Sequence, residues 1–396
     1  MTKVTVAGQG EVGSFHYAVA NEFFGDMGMG VDYVPFESHE LLLHNLFDSK
    51  NEIHKAVIAV DNNTSGRVIS AIDALRQHPE VRIIGSVVAN IDQHLLLAPG
   101  HSEEDLQAVI SQQPALDQCE GNIQKAGLMA VPYYDTAAAA RRVRDSNGRY
   151  HDFTSVAAIG PQAAGKLHGL TVGSRFNDAE SNATKFWIVS DAEEPSHGTH
   201  TALTFEVPDR AGALFTAIGI ISVKYGYNLT DIDSHLAPES EDRRAFFAEI
   251  EHGDSDLLQP VLDELDDKEF KPQVLGHYTP KGRPLEVEDG NHHVPAALKH
   301  DEWSGRHGME YPEGSTTLYV ETTHEAGALH KVLGCLAAYN LVDLGRPIVP
   351  RDHKFNRGFY IVIDPNTRDS DTQTAVKNIR SLGYKAGPVQ RESKVA

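Results

Sequence analysis

Cysteine is nearly absent: Cys119 and Cys335 are the two in 396 residues, with no CxxC spacing. That excludes a disulfide framework and a cysteine-built zinc site, and makes a reducing cytoplasm the expected compartment. Basic residues are scarce too. Lys and Arg number 35 against 56 Asp and Glu, a formal charge of −21. This argues against nucleic acid or an anionic membrane as the main partner. An anionic small substrate then needs a donor-rich pocket set against that field. No apolar run reaches the length of a membrane-spanning helix. The opening Met1–Ala7 reads as a strand and lacks a signal peptide's apolar core. What remains, 40% hydrophobic and 23% charged, is a globular composition, long enough for two or three domains.

The first stretch alternates short apolar runs with helical patterns. Lys3–Ala7, Val31–Pro35 and Ala56–Val60 are strand candidates, with helices at Ser14–Phe24, Glu40–Phe47 and Arg67–Leu75. This β-α-β-α rhythm implies a mostly parallel sheet with helices on both faces. The nearly continuous β-branched run Val81–Ala98 reads as paired or crossing strands that begin a second lobe. Further strands at Ala108–Ile110, Leu128–Val131 and Val156–Ile159 alternate with helices at Ala115–Gln124, Thr136–Arg144 and Gln162–His168. Two small α/β lobes with a cleft between them fit this order.

Beyond the linker Asp191–His200 the order becomes βαββα. After a second Pro-, Gly- and His-rich linker it returns. Ala211-Gly-Ala-Leu214 pairs with Ala326-Gly-Ala-Leu329, and Asn228-Leu229 with Asn340-Leu341, an internal repeat. The expected domains are 1–192, 200–280 and 315–391, with 281–314 as linker.

Gly8-Gln-Gly-Glu-Val-Gly13 is a GxGxxG between a strand and a helix. One reading is a dinucleotide site, with Glu37 as the ribose-binding acid. The other is a tight turn leaving amides free to face a cleft. Ser14 and His16, polar and just inside the helix, favour a small anionic ligand. Asn62 and Asn63 follow a strand and precede a helix, where amides cap or bind. Ser111 ends a strand and is open to the same two roles. Asp61 is a turn residue or a catalyst. Lys185 alternates with Thr184 and Phe186, so it neutralises a ligand or faces away from it.

Read together, Gly13–Ala18, Ala59–Asn63, Ile91–Leu96, Ser111–Cys119, Asp135–Ala140, Ala157–Leu170 and Asn182–Phe186 stand in the order found in prephenate dehydratases. The chain resembles that family over roughly residues 3–275. The resemblance implies an α/β, two-lobed, periplasmic-binding-protein-like catalytic region, followed by two ferredoxin-like βαββα domains similar to ACT domains. Ordinary members lack the second. It also implies a lyase of phenylalanine biosynthesis that turns prephenate into phenylpyruvate with loss of carbon dioxide and water, without a cofactor or metal. Thr184, Asn62 and Asp61 become the catalytic candidates. Ser14, His16, Asn63, Ser111 and Lys185 become substrate-binding ones, for prephenate or arogenate.

The chain departs from the family pattern in several places. Thr184-Lys185-Phe186 stands for Thr-Arg-Phe, and Asp61-Asn62 for Glu-Asn, retracting a carboxylate by about 1.5 Å. Pro114 replaces a glutamine, and Gly13-Ser14-Phe15-His16 replaces Gly-Thr-Phe-Ser. A His16-dependent step is expected to titrate near neutrality. Hydroxide leaves poorly, so a donor such as the Thr184 hydroxyl is needed on the departing oxygen.

In the regulatory half the resemblance implies an amino-acid effector held by the Gly-Ala-Leu turns. The candidates are Gly212, Ala213, Leu214 and Asn228 in one copy, and Gly327, Ala328, Leu329 and Arg346 in the other. The family's Glu-Ser-Arg-Pro is Asp233-Ser234-His235-Leu236 here, whereas Gly345-Arg346-Pro347 survives. An internal pair of the two modules is expected, within a homo-oligomer. Three other readings stay open: a nonaromatising prephenate decarboxylase, an NAD-dependent dehydrogenase with ACT domains, and a non-catalytic amino-acid-binding regulator.

Overall fold

Capped helices alternate with β-branched runs to build the first lobe. Its elements are β1 (Lys3–Gln9), α1 (Phe15–Gly25), β2 (Gly30–Phe36), α2 (His39–Leu46), β3 (Lys55–Asn62), β4 (Gly66–Arg67), α3 (Ile69–Gln77) and β5 (Val81–Asn90). The chain then crosses into a second lobe of β6 (His94–Leu97), β7 (Ala108–Ser111), α4 (Gln113–Asp117), α5 (Glu120–Lys125), β8 (Met129–Pro132), α6 (Thr136–Asp145), β9 (Val156–Gly160), α7 (Gln162–Leu167) and β10 (Thr171–Arg175). It returns as β11 (Ala183–Asp191). This computed structural model describes residues 2–46, 53–63, 66–191, 197–236, 240–253, 258–281, 316–322, 328–337, 341–345, 357–363 and 369–388. The chain divides into two units, residues 1–195 with 280–286, and residues 196–279 with 287–396.

The first-lobe sheet runs β5-β11-β3-β1-β2. β1 is parallel to β2 and β3, as the rhythm implies, but β11 is antiparallel to both neighbours. The expectation of a mostly parallel sheet is corrected there. A strand inserted from a hundred residues downstream leaves no local trace in the pattern around β3 and β5. The run Val81–Ala98 divides into β5 in one lobe and β6 in the other, so it crosses rather than pairs. Phe23, Phe24, Val57, Val87, Phe186 and Ile188 fill the first core.

The second sheet runs β10-β6-β9-β7-β8. Helix α6 starts where the Asp135 carboxylate accepts the Ala138 amide at 2.8 Å, and Arg142 and Arg144 suit the negative end of its dipole. Its alanines Ala137 to Ala140 are buried, and their small side chains let the helix lie close against the sheet. The two crossovers are braced together. The Ile91 amide donates to Asn182 O at 2.7 Å and the Phe176 amide to Gln93 O at 2.7 Å. Asn177 accepts from the Gln93 amide at 2.7 Å and donates to Ile91 O at 3.0 Å.

The second unit carries β12 (His200–Pro208), α8 (Ala213–Ile218), β13 (Asn228–Leu236), β14 (Arg243–Glu251), α9 (Gln259–Asp267) and β15 (Gln273–Tyr278), an antiparallel sheet ordered β13-β14-β12-β15. Next, β16 (Pro280–Lys281) pairs with β5 of the first unit. The expected linker 281–314 therefore opens on a strand, and the rest of it lies outside the described residues. The order then recurs: β17 (Thr316–Thr322), a helix over Ala328–Gly334, β18 (Leu341–Gly345), β19 (Arg357–Ile363), a helix over Asp369–Ser381 and β20 (Lys385–Pro388), with the sheet ordered β18-β19-β17-β20. Each copy is βαββαβ. The closing strands β15 and β20 are short and glycine-containing, too weak to register as strands from pattern alone. β13 lies beside β18, and α8 beside the helix Ala328–Gly334. One apolar core, including Leu203, Phe246, Leu333, Leu336 and Ile361, runs through both copies. Among the described residues no helix is long and apolar enough to cross a membrane.

Candidate active site

Strand ends and helix starts from both lobes of the first unit enclose a cavity of about 690 Å³, a size suited to a small ligand. Gln9 to Glu11 and Ser14 to His16 enter from the β1–α1 turn, and Pro35 to Glu37 follow β2. Thr184 and Phe186 come from β11, Gln93 from a crossover, Gln112, Pro114 and Gln118 from the α4 region, and Tyr134 to Thr136 from the start of α6. The lining is rich in amides and hydroxyls. It contains the carboxylates of Glu11, Glu37 and Asp135 but, among the described residues, no Lys or Arg.

Thr184 sits opposite Asn62 in the β11–β3 register. The Asn62 amide is oriented by three oxygens: Asn182 Oδ1 at 2.8 Å, Thr184 Oγ1 at 2.9 Å and Ala183 O at 3.1 Å. A backbone carbonyl accepts only, so Nδ2 must face it. Thr184 Oγ1 thereby accepts, and its own hydrogen is left for the cavity. Asn62 supports this hydroxyl from behind and does not itself line the cavity.

The other expected site residues separate. Ser14 lines the cavity while capping α1, accepting the Tyr17 amide at 3.3 Å. His16 lines it with a ring packed edge-on to Phe186 at 5.1 Å. The residue is half-buried, yet its Nε2 is closed to solvent and has no partner among the described residues. Burial, helped by His39, drives its pKa down to about 3. The imidazole is therefore neutral, and the expected titration near neutrality is corrected. Asn63 neither caps a helix nor reaches the cavity. It accepts the Ala183 amide at 2.8 Å and donates to Ser181 at 3.2 Å, clipping the start of β11. Ser111 is fully buried, donates to Ile159 O at 2.6 Å and does not line the cavity. Asp61 lies 3.8 Å from Arg67, both buried, and Lys185 lies over the Trp187 ring at 5.9 Å. Neither lines the cavity, because the alternation of β3 and β11 turns them from the face that carries Thr184 and Phe186.

The glycine turn is shaped by the opposite lobe. Gly10 (φ +85°) has Asp135 where a Cβ would sit, and Gly13 (φ +99°) has the backbone of Ala164 on α7. Both need left-handed backbone as well as space. Glu11 reaches across the cleft, where Arg141 of α6 grips it through Nε at 3.0 Å and Nη2 at 2.7 Å, and Tyr134 donates at 2.9 Å. Burial pushes the Glu11 carboxyl up, but those donors outweigh it and hold its pKa below the usual range. Asp135 is raised by burial against the backbone amides that it accepts. Gln93, Gln118, Glu11 and Tyr134 were not anticipated from the sequence, although Gln93 and Gln118 fall inside the quoted motifs.

The second unit has a smaller pocket of about 20 Å³, room for about one water. Asp209, Arg210, Gly212, Leu214 and Arg244 line it from the first copy, and Leu333, Leu336 and Ala337 from the second. Arg244 forks onto Asp209 with two bonds of 3.0 Å. Gly212 is left-handed, at φ 80°. Ala213 is buried beneath the turn and Leu329 in the shared core, while Ala328 opens its helix. Asn228 does not line the pocket; it donates to Glu251 at 2.9 Å. Gly327 and Arg346 lie outside the described residues.

A braced, two-lobed fold around an amide-lined cleft defines a periplasmic-binding-protein-like region. Comparison with known proteins gives the family. The family model described as prephenate dehydratase matches residues 6–194. A bifunctional N-acyl-homoserine lactone acylase/prephenate dehydratase of Komagataeibacter europaeus is 30% identical over 251 residues, 62% of this chain and 86% of that one. Arogenate dehydratase/prephenate dehydratase 2 of Arabidopsis thaliana is 27% identical over 70% of this chain and 73% of its own length. The structure of a prephenate dehydratase from Arthrobacter aurescens, in complex with L-Phe, shares the fold at 22% identity. Its TM-score is 0.60, over 72% of this chain and 92% of that one. The chain belongs to the prephenate dehydratase family, dehydratase lyases of aromatic amino-acid biosynthesis.

Proposed function

We propose that residues 1–192, within the first unit, catalyse an aromatising elimination on a prephenate-type ring acid, converting prephenate to phenylpyruvate. The bond from ring to carboxylate breaks, carbon dioxide leaves, and the freed electron pair enters the ring. The ring carbon–oxygen bond breaks, and hydroxide takes one proton to leave as water. The carrying observation is the Thr184 hydroxyl, which accepts from Asn62 on the lining of the cavity and so keeps its own hydrogen free to donate. It hydrogen-bonds the departing oxygen or relays a proton to it, assistance worth about 10²–10⁴-fold. The α1 N-terminus beside Ser14 offers dipole and amides to a substrate carboxylate. The test is incubation with prephenate, reading the alkaline absorption of phenylpyruvate enolate. Thr184→Ala is expected to lower kcat about 100-fold or more with an unchanged circular dichroism spectrum. A dihydro product instead of phenylpyruvate assigns the nonaromatising decarboxylase, and normal turnover by Thr184→Ala removes the assignment of that hydroxyl.

Residues 200–280 and 315–391 act in this reading as paired ACT-type modules that receive an amino-acid effector. The left-handed Gly212 turn between the two copies supports it, as does the L-Phe bound by the Arthrobacter aurescens protein. Phenylalanine at saturating concentration is expected to raise the melting temperature by several degrees. Arg244→Ala, which releases Asp209 beside the turn, is expected to reduce that shift.

A further inference from the structure

The polarity of one buried amide chain reports on the substrate. Ala183 O fixes Asn62 with Nδ2 toward Asn182 Oδ1. Asn182 must then present its Nδ2 to Gln118 Oε1, which it does at 2.9 Å. Gln118 Oε1 accepts a second time, from Gln93 Nε2 at 3.3 Å. The chain ends at Gln93 Oε1, an acceptor closed to solvent and without a partner among the described residues, on a residue 3% exposed that lines the cavity. It cannot be turned into a donor without setting two donors or two acceptors against each other at one of the earlier links. A buried orphan acceptor on a residue that lines the cavity calls for a donor on the ligand.

The charges point the same way. Glu11 is taken by Arg141, and Asp135 is spent on the amides of α6. The Glu37 side chain makes no hydrogen bond or ion pair among the described residues, and no lining cation offsets it. The α-keto side chain of prephenate presents acceptors only, on a dianion. Its amino counterpart, arogenate, carries the same two carboxylates plus an ammonium with three N–H donors. Resting on the dehydratase reading above, we propose that this cleft prefers the amino acid substrate, arogenate, to the keto acid, and that Gln93 Oε1 is the ammonium acceptor that decides it. The elimination is the same: carbon dioxide and water leave, the ring becomes aromatic, and the amino-acid side chain passes through unchanged.

The test is kcat/KM for both substrates on the full chain. Arogenate is expected to exceed prephenate by about tenfold or more, the worth of one hydrogen bond to a charged donor. Gln93→Met keeps the bulk and removes the acceptor. It is expected to narrow the ratio about tenfold, through the KM for arogenate with little change in kcat. Glu37→Gln, at an exposed position, is expected to narrow it several-fold, most at low salt, and carries the test if Gln93→Met does not fold. Faster turnover of prephenate, or a ratio that neither variant moves, overturns the preference and leaves the dehydratase standing. No turnover of either substrate by folded protein overturns both.

Discussion

His16 and His39 are imidazoles that the fold holds uncharged, with Nε2 atoms that find no partner among the described residues. Burial lowers His16 to about 3, with a contribution from His39, and burial lowers His39 to about 4. In the unfolded chain both take protons near pH 6.5. Between about pH 4 and 6.5 the unfolded state therefore binds more protons, so stability rises with pH across that window and levels off above it. The slope is at most about 1.4 kcal/mol per pH unit for each ring. Urea midpoints at pH 5.0 and 7.5 check this, and His39→Gln is expected to remove about half of the difference. Motif order singled out Thr184 and Ser14, which line the cavity, and Asn62 behind Thr184, and strand alternation already offered Lys185 the face away from the ligand. The amide chain that ends at Gln93 was not legible. Its polarity is set by three separate segments meeting, and glutamine in a sequence does not say which end is free.

The β1–α1 turn shows what a motif carries and what it hides. GxGxxG announced a tight turn, but not whether a pyrophosphate or a protein surface would approach it. The approaching groups are Asp135 and α7, more than 120 residues on. Gly13→Ala combines a strained φ with a clash 3.1 Å from the Ala164 backbone, whereas Gly28→Ala, at φ +73°, meets no atom within 4 Å. Both substitutions are expected to cost about 1–2 kcal/mol of backbone strain. Only Gly13→Ala should also raise KM several-fold, because it wedges the lobes apart at the cavity. Equal effects in chemical denaturation and kinetics would show that the turn needs glycine for its backbone alone. Arg141→Ala is a gentler probe of the same closure. Its ion pair with Glu11 is partly exposed, so the global loss should stay below about 1 kcal/mol.

At the scale of the chain, the repeat was visible in Gly-Ala-Leu and Asn-Leu, but a shared core was not, since periodicity shows which face is apolar and not what covers it. Leu333 is 1% exposed, lies in that core, and lines the small pocket with Gly212 and Phe215 of the other copy. Leu333→Ala removes three carbons at a junction that neither copy fills alone. The expected loss is about 2–5 kcal/mol, as for other buried leucines. Val223 is 59% exposed, and Val223→Ala should stay within about 0.5 kcal/mol. If the copies are one cooperative body, Leu333→Ala weakens hydrogen-exchange protection in β12 and β14 as well as in β17 and β19. If they fold independently, protection falls in β17 and β19 alone, and the strands of the first copy keep their wild-type rates.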